Sequence, residues 1–225
     1  MELTPSAWRT CRVLANARRL LLLANVIRRG PLTVSHAAHL THVPECTATL
    51  GLRALQSRGL LTSVRNSRWV RYSASPDPLV SHADSFLTIT SRAIAQGETP
   101  AVLVNAFTAF THPRRIRIVQ ALATAPLTNE QISVRCEISR PALRRHLAKL
   151  TRRGVIAADD KHRWHLVPPP FPLLRDLVRI VLAEQHPHTP SENRSVPAVA
   201  PTPNKRRPAR RTLAAAAKPV YTLPP

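Results

Sequence analysis

An internal repeat constrains the fold of this chain more than any other feature of its sequence. Residues 31–69 align without a gap with residues 126–164, an offset of 95 positions. Just upstream, residues 15–20 align with residues 111–116. Apolar residues occupy matching positions, and each copy carries an Arg-Gly dipeptide followed ten residues later by an Arg-Trp dipeptide. A unit of about 60 residues that occurs twice predicts two copies of one small fold.

Each copy has the local signals of a helix, a short helix, a turn, a longer helix and a hairpin. Thr33 and Thr128 stand where they can cap the two short helices. The longer helices are predicted over about 45–58 and 140–153, and each ends before a glycine. In the second of them, three leucines fall at i, i+4 and i+7 and form one buried stripe, namely Leu143, Leu147 and Leu150. After each glycine the pattern predicts two short strands around a polar turn.

This order of elements predicts a mainly α fold with small β-hairpin wings. We expect two winged helix-turn-helix domains in tandem, which could pair as an intramolecular pseudo-dimer. The expected boundaries are residues 7–75 for domain 1, 76–98 for a connecting helix, 99–185 for domain 2 with a C-terminal helix, and 186–225 for a disordered basic tail rich in Pro and Ala. The tail has nine prolines in forty residues, a composition that cannot build a core.

The helices predicted to flank the two units are more hydrophobic than solvated helices. They are expected over residues 8–14, 79–96, 102–110 and 171–185. Because a helix that is apolar on much of its surface must be covered, these helices must bury against each other or against a partner.

The charge balance indicates a polyanionic partner. The 225 residues include 33 Lys+Arg against 12 Asp+Glu, a formal net charge of +21. Residues 1–75 carry 11 basic and 2 acidic side chains and residues 99–185 carry 14 and 6, whereas residues 76–98 carry 1 and 3. Of the 33 cations, 29 are Arg, which makes bidentate contacts with phosphate and guanine. Nucleic acid is the leading candidate partner, and the alternative is an Arg-rich composition with no such partner.

Other classes of function find little support in the sequence. A phosphate-binding glycine loop, a paired-carboxylate site and a nucleophile motif are all missing, so we expect no catalytic residue, no enzyme activity and no cofactor. His36, His39 and His42 have no accompanying thiolate or carboxylate, so no metal site is expected. Three scattered cysteines indicate a reducing compartment. The longest apolar run, residues 20–24, is too short for a membrane span, and no secretory signal is visible, which together favour a cytoplasmic protein.

The second copy resembles the helix-turn-helix of bacterial ArsR-like repressors. The resemblance rests on residues 128–132, on Ser-Arg-Pro-Ala-Leu-Arg-Arg-His-Leu-Ala-Lys-Leu at 139–150, and on Arg-Gly-Val-Ile at 153–156. It covers roughly residues 7–185, since the first copy is similar at its edges. The resemblance implies DNA binding, repression by occlusion of a promoter, and association with the bacterial nucleoid. A typical member has one unit and dimerises through its outer helices, so this chain could be a monomeric pseudo-dimer or a homodimer through those helices.

The first copy departs from the family pattern in two ways. The first helix of its helix-turn-helix, residues 34–40, has no cysteine, so the metal sensing of some family members does not carry over. Gly51 stands where the second copy has His146, which we expect to be an orienting hydrogen-bond donor. Because Gly in a helix interior costs about 1 kcal/mol relative to Ala, we expect the first copy to bind DNA weakly or through its wing.

We expect the longer helix of the second copy to carry most of the DNA binding. Arg140 and Arg144 lie one turn apart, and either could make a bidentate contact with guanine in the major groove. Trp69 and Trp164 are expected to point inward, because side chains alternate along a strand. The predicted DNA-contacting residues are Ser139, Arg140, Arg144, Arg145 and Lys149 on that helix, Lys161 and Arg163 on its wing, Thr47, Thr49 and Arg53 on the helix of the first copy, and Arg65, Asn66 and Arg68 on the wing of the first copy.

Three functions are compatible with this pattern. The leading one is a sequence-specific regulator of transcription that binds double-stranded DNA and acts as a repressor. A second is a plasmid replication or chromosome segregation protein with tandem winged helices. A third is a protein-interaction scaffold that no longer touches DNA. Salt dependence separates the third from the others, because neutralising about 6–10 phosphates costs roughly 10³–10⁵ in affinity between about 50 and 200 mM salt.

Overall fold

Two stretches of the chain have a similar order of helices and strands. The structure is a computed structural model that describes residues 7–184, so the tail predicted at 186–225 lies outside the described residues. The first stretch contains α1 (Ala7–Leu14), α2 (Ala17–Arg29), β1 (Leu32–Thr33), α3 (Val34–Thr41), α4 (Glu45–Gln56), β2 (Thr62–Asn66) and β3 (Trp69–Ser73). After α5 (Ala83–Ala95), the second contains α6 (Pro100–Thr108), α7 (Pro113–Leu122), α8 (Asn129–Cys136), α9 (Arg140–Arg152), β4 (Ile156–Ala158), β5 (Trp164–Leu166) and α10 (Pro172–Ala183).

Similar local interactions start and end the short helices of the two stretches. Thr33 caps α3 and Thr128 caps α8, each side chain accepting a hydrogen bond from the backbone N–H of the third helical residue. Past the other end of these helices, His42 and Glu137 adopt the left-handed conformation with φ of 51° and 53°. This conformation ends a helix sharply and turns the chain toward the next one. The two caps and the two left-handed residues are each 95 positions apart.

An arginine in the first turn of α2, and another in the first turn of α7, holds the end of the preceding helix. Arg19 Nε donates to the carbonyl oxygen of Val13 at 2.6 Å, and Arg115 Nε donates to that of Ala109 at 2.6 Å. A terminal nitrogen of each guanidinium also donates to the carbonyl oxygen one residue earlier, at 3.2 Å and 2.9 Å respectively. The last carbonyls of a helix have no partner within it and form the negative end of its dipole. The two arginines therefore tie the start of α2 to the end of α1 and the start of α7 to the end of α6.

Each stretch ends in a small antiparallel hairpin. In the first, β3 lies between β1 and β2, with Leu32 opposite Tyr72 and Asn66 opposite Trp69. In the second, β4 pairs with β5, and Leu127 forms an isolated bridge to the second of these strands. We call residues 62–73 wing 1 and residues 156–166 wing 2. Wing 1 turns through two residues and wing 2 through five, so the two hairpins differ in length and register.

The hydrophobic helices that flank the two stretches bury against each other. α1 packs against α6, and α10 packs against α5, α6 and α7. Phe86, Phe107 and Leu177 from three of these helices are at most 1% exposed and belong to one continuous core. At its edge, Arg92 of α5 forms a 3.0 Å ion pair with Asp176 of α10. The short helices, longer helices and hairpins of the two stretches thus share one helical base.

The helix bounds differ from the sequence expectation where the chain turns tightly. Residues 79–82, predicted as the start of α5, form a turn instead, because the Asp77 side chain accepts from the backbone N–H of Leu79 and His82 is left-handed. α6 starts two residues earlier than predicted, at Pro100. Proline suits this place because the first helical residue needs no N–H donor and Thr99 supplies the cap.

Candidate nucleic-acid interface

The site begins with the surface of α9, which presents a row of cations to solvent. Its apolar stripe is buried in the core through Leu143, Leu147 and Leu150. The exposed cations of the helix are Arg140, Arg144, Arg145, Lys149 and Arg152, four of which are predicted DNA-contacting residues. Of these five, Arg140 alone forms an ion pair in the part of the chain that the structure describes. We call this surface the α9 edge.

The N-terminal end of the α9 edge carries its one acidic contact. Arg140 lies 3.7 Å from a carboxylate oxygen of Glu130 on α8, and both side chains are largely exposed. An exposed pair of this kind contributes at most about 1 kcal/mol, so a phosphate could displace the carboxylate at small cost. Ser139 is the N-cap residue of α9, is exposed, and makes no capping hydrogen bond with its side chain. Its hydroxyl is therefore not used to cap the helix.

Two histidines meet between α9 and the start of α7. The rings of His112 and His146 lie 4.6 Å apart between centroids, at an interplanar angle of 48°. His112 Nδ1 accepts from the backbone N–H of Arg114 and so caps α7. His146 makes no hydrogen bond to other described residues and packs on His112 instead. The expected orienting hydrogen bond is therefore not found in the described part of the chain.

The surroundings of this histidine pair are strongly cationic. Burial, the neighbouring His112 and nearby cations lower the pKa of His146 to about 4. Burial and the same cations also lower the pKa of His112. A shallow cavity of about 410 Å³ lies here, lined by His112, Arg114, Ala142, Arg145, His146, Ala148, Lys149 and Arg152. The positive charge of the cavity at neutral pH therefore comes mainly from its Arg and Lys side chains.

The corresponding helix of the first stretch, α4, has a different outer face. Glu45 and Leu50 occupy the positions that correspond to Arg140 and Arg145 of α9, and Leu50 is 71% exposed. Of the predicted contacts on α4, Arg53 is exposed, whereas Thr47 and Thr49 are half-buried. The hydroxyl of Thr49 donates to the carbonyl oxygen of Glu45 at 2.8 Å.

Gly51 explains how α4 packs without the histidine of the second copy. A Cβ atom at this position would lie 2.5 Å from Cδ1 of the buried Leu22 on α2. The glycine lets α4 approach α2 closely, whereas α9 carries His146 at the corresponding position. Glycine has an unfavourable helix propensity, but at this position it allows the close packing of α4 on α2.

The two wings present their predicted contacts differently. Arg65, Asn66 and Arg68 of wing 1 are exposed, and so is Lys161 of wing 2. Arg163 of wing 2 is half-buried and forms an ion pair with Asp159 at 2.9 Å. Hydrogen bonds from the backbone and side chain of Arg163 lower the pKa of the Asp159 carboxyl. Arg163 is thus held by the wing itself.

The two wing tryptophans, predicted to point inward, differ in the structure. Trp164 is half-buried, and its Nε1 donates to Oδ1 of Asn129 at 3.0 Å. The prediction for Trp69 is wrong, because this side chain is 50% exposed. Tyr72, three residues further along β3 and therefore on the opposite face of the strand, is buried in its place. The alternation of side chains along the sequence therefore predicted the wrong face of β3 for Trp69.

Comparison with known families points to one part of the chain. Residues 112–158, from the cap of α7 to the end of β4, match the family described as "Bacterial regulatory protein, arsR family". No curated protein matches the sequence. Within residues 7–184, every helix is too short or too polar to span a membrane. No group of three potential metal-ligating side chains is found in the same part of the chain.

The family match and the fold agree with each other. The matched residues contain the helix-turn-helix formed by α8 and α9, the preceding helix, and the first strand of wing 2. Residues 112–158 are therefore similar to the helix-turn-helix of ArsR-family regulators, a DNA-binding fold, and β5 completes the wing just beyond the matched residues.

Proposed function

We propose that this protein is a sequence-specific regulator of transcription that binds double-stranded DNA and represses by covering a promoter. The α9 edge is the observation that carries this proposal. It lies on the second helix of the helix-turn-helix, the helix that enters the major groove in this class of proteins. Its cations are exposed and, apart from Arg140, have no acidic partner among the described residues.

The spacing of the cations on α9 suits direct reading of bases. Arg140 and Arg144 are one turn apart on the same face, so both guanidinium groups can reach the floor of one groove. A bidentate contact between arginine and guanine gives about 1–3 kcal/mol of discrimination against other bases. Arg145 and Lys149 line the cavity beside His112, and we assign them to contacts with the phosphates at the side of the groove.

The proposal includes two winged helix-turn-helix domains in one chain, at residues 7–75 and 99–185, joined by a connecting helix at 76–98. Three structural parallels support it: the threonine caps, the left-handed residues after the short helices, and the arginines that hold the preceding helix. The packing of the flanking helices within one chain supports an intramolecular pseudo-dimer. A homodimer through the same helices is the alternative, which the stoichiometry of the DNA complex distinguishes.

Arginine substitutions on the two longer helices test the proposal. DNA duplexes are first selected from a random-sequence pool by the full chain, and affinities are then measured by fluorescence anisotropy. We expect Arg144→Ala to weaken binding by about ten- to a hundredfold, since it removes a base contact. Arg53→Ala on α4 should have a smaller effect, and Arg175→Ala, an exposed cation on α10, serves as the control for removal of a positive charge.

Two results would contradict the proposal. If the full chain selects no duplex, or binds with an affinity that does not fall with salt, the DNA-binding function is wrong. If Arg144→Ala, Arg53→Ala and Arg175→Ala weaken binding equally, α9 has no special role in recognition.

A further inference from the structure

Wing 1 has an apolar surface that the fold leaves uncovered. Cross-strand pairing places Val64 opposite Arg71 and Asn66 opposite Trp69, so these four side chains share the outer face of the hairpin. Val64 is 67% exposed and Trp69 is 50% exposed. The inner face of β3 is occupied by the buried ring of Tyr72. The two apolar side chains are therefore diagonal neighbours on one face, with Trp69 at the tip of the hairpin and Val64 in the next cross-strand pair on that face.

Cations surround this apolar surface. Arg68 Cζ lies 5.3 Å from the centroid of the Trp69 ring, and Arg71 lines the same shallow depression of about 370 Å³. Arg65 is exposed on the neighbouring strand. None of these three arginines forms an ion pair within the described residues. A partner for this surface must offer negative charge beside flat apolar groups, and nucleic acid has both, with phosphates on either side of sugars and bases.

In wing 2 the same Arg-Trp dipeptide makes its contacts within the protein. Its Arg163 is paired with Asp159, and the indole N–H of its Trp164 is bonded to Asn129. In wing 1 the corresponding Arg68 and Trp69 have no such partners among the described residues. The outward position of Trp69 is thus a property of wing 1 and not a consequence of the Arg-Trp sequence.

We propose that wing 1 inserts into the minor groove of double-stranded DNA, with Trp69 and Val64 as an apolar wedge against sugars and base edges and with Arg68 and Arg71 beside them on the groove and its phosphates. This inference rests on the proposed DNA-binding function and adds a contact that cations alone do not make. The two-residue turn places Trp69 at the very end of the hairpin, so its side chain can enter a groove about 6 Å wide while the two strands stay at the rim. Apolar wedges flanked by arginines are one way in which proteins hold the minor groove.

The division of roles between the two stretches follows from this proposal. In the first stretch, the helix α4 has Glu45 and Leu50 on its outer face and would bind the major groove weakly. Wing 1 would supply most of the DNA affinity of this stretch. The second stretch has the cationic α9 edge, while its wing holds its own arginine. The chain would then bind DNA through the helix of one stretch and the wing of the other.

Tryptophan variants of the full chain test the wedge, using the duplex that the unmodified chain selects from a random-sequence pool. Trp69→Ala should weaken binding about tenfold or more at every salt concentration without changing the salt slope, because it removes an uncharged contact. Trp69→Phe should restore most of the affinity. The control is Leu79→Ala, which removes an even more exposed apolar side chain outside the wing and should have no effect.

Two further readouts separate the wedge from a general effect of charge. Binding of DNA should quench part of the tryptophan fluorescence of the unmodified chain, and this part should be absent in Trp69→Ala. The double variant Arg68→Ala with Arg71→Ala should instead reduce the salt slope, by about 0.9 for each phosphate that the variant no longer neutralises. Circular dichroism establishes that each variant is folded.

The proposal fails if Trp69→Ala binds the selected duplex as tightly as the unmodified chain, or if its quenching is unchanged, and the DNA-binding function would then stand without the wedge. It also fails if Trp69→Ala leaves DNA binding intact but abolishes self-association in sedimentation experiments, because the surface would then be a protein contact. If the unmodified chain selects no duplex, the proposed function fails first, and this inference fails with it.

Discussion

Arg115 shows how the fold accommodates a buried cation without an acidic partner. Arg115 is only 3% exposed and has no carboxylate partner among the described residues; its guanidinium is satisfied by oxygen atoms of Thr108, Ala109 and Thr111. Burial lowers its pKa. The sequence aligned this arginine with Arg19 but could not reveal its role, because its partners are mainly backbone carbonyls, which every residue has.

The lowered pKa of His146 predicts that stability depends on pH. The folded pKa of His146, about 4, lies below the usual value of 6.5, so in the interval between them the unfolded chain binds a proton that the folded chain does not. The free energy of unfolding should therefore fall as the pH is lowered through this interval.

Urea unfolding of the unmodified chain and of His146→Gln, at about pH 7.5 and about pH 5, measures this effect. His146→Gln should lose less stability on acidification than the unmodified chain. His36→Gln, on the exposed side of α3, should change as the unmodified chain does. Parallel pH dependences of the unmodified chain and His146→Gln would show that this pair does not contribute.

At the scale of helices and strands, prediction succeeded where the signal is local. The threonine caps and the leucine stripe of α9 depend on residues within one or two turns, and the structure has both. The wings were harder, because the register of a hairpin depends on the length of its turn. The matching Arg-Trp dipeptides suggested the same orientation for Trp69 and Trp164, but turns of two and five residues place them differently.

The helix-ending glycines offer a matched pair of substitutions. Gly59 and Gly154 have φ of 68° and 67°, a conformation that costs a residue with a side chain about 1–2 kcal/mol. At Gly59 a Cβ would also lie 2.7 Å from Cβ of Val80 and 2.9 Å from that of Ala83, whereas at Gly154 the nearest atom, on Pro170, is 3.5 Å away.

Gly154→Ala should therefore lower the free energy of unfolding by about 1–2 kcal/mol, and Gly59→Ala should lower it by roughly 1–3 kcal/mol more because of overpacking. Thermal or urea denaturation followed by circular dichroism measures both. Equal losses would mean that the segment around Val80 moves aside without cost.

At the scale of the whole molecule, the proposed pseudo-dimer predicts that a single chain binds each DNA site. The two stretches share one continuous core built around α1, α5, α6 and α10. An ordinary dimer of identical subunits mirrors its two-fold symmetry in a palindromic site. In this chain the outer faces of α4 and α9 differ. A single chain therefore has no exact two-fold symmetry, and its DNA site need not be palindromic.

Hydroxyl-radical footprinting on the duplex selected by the full chain, together with the stoichiometry of the complex, tests the central claim most directly. The account predicts one chain on each duplex, with two protected segments about one helical turn apart and without a strict palindrome. It also predicts that Arg144→Ala weakens protection of one segment more than the other. Two chains bound symmetrically to a strict palindrome, or protection that Arg144→Ala leaves unchanged, would contradict it.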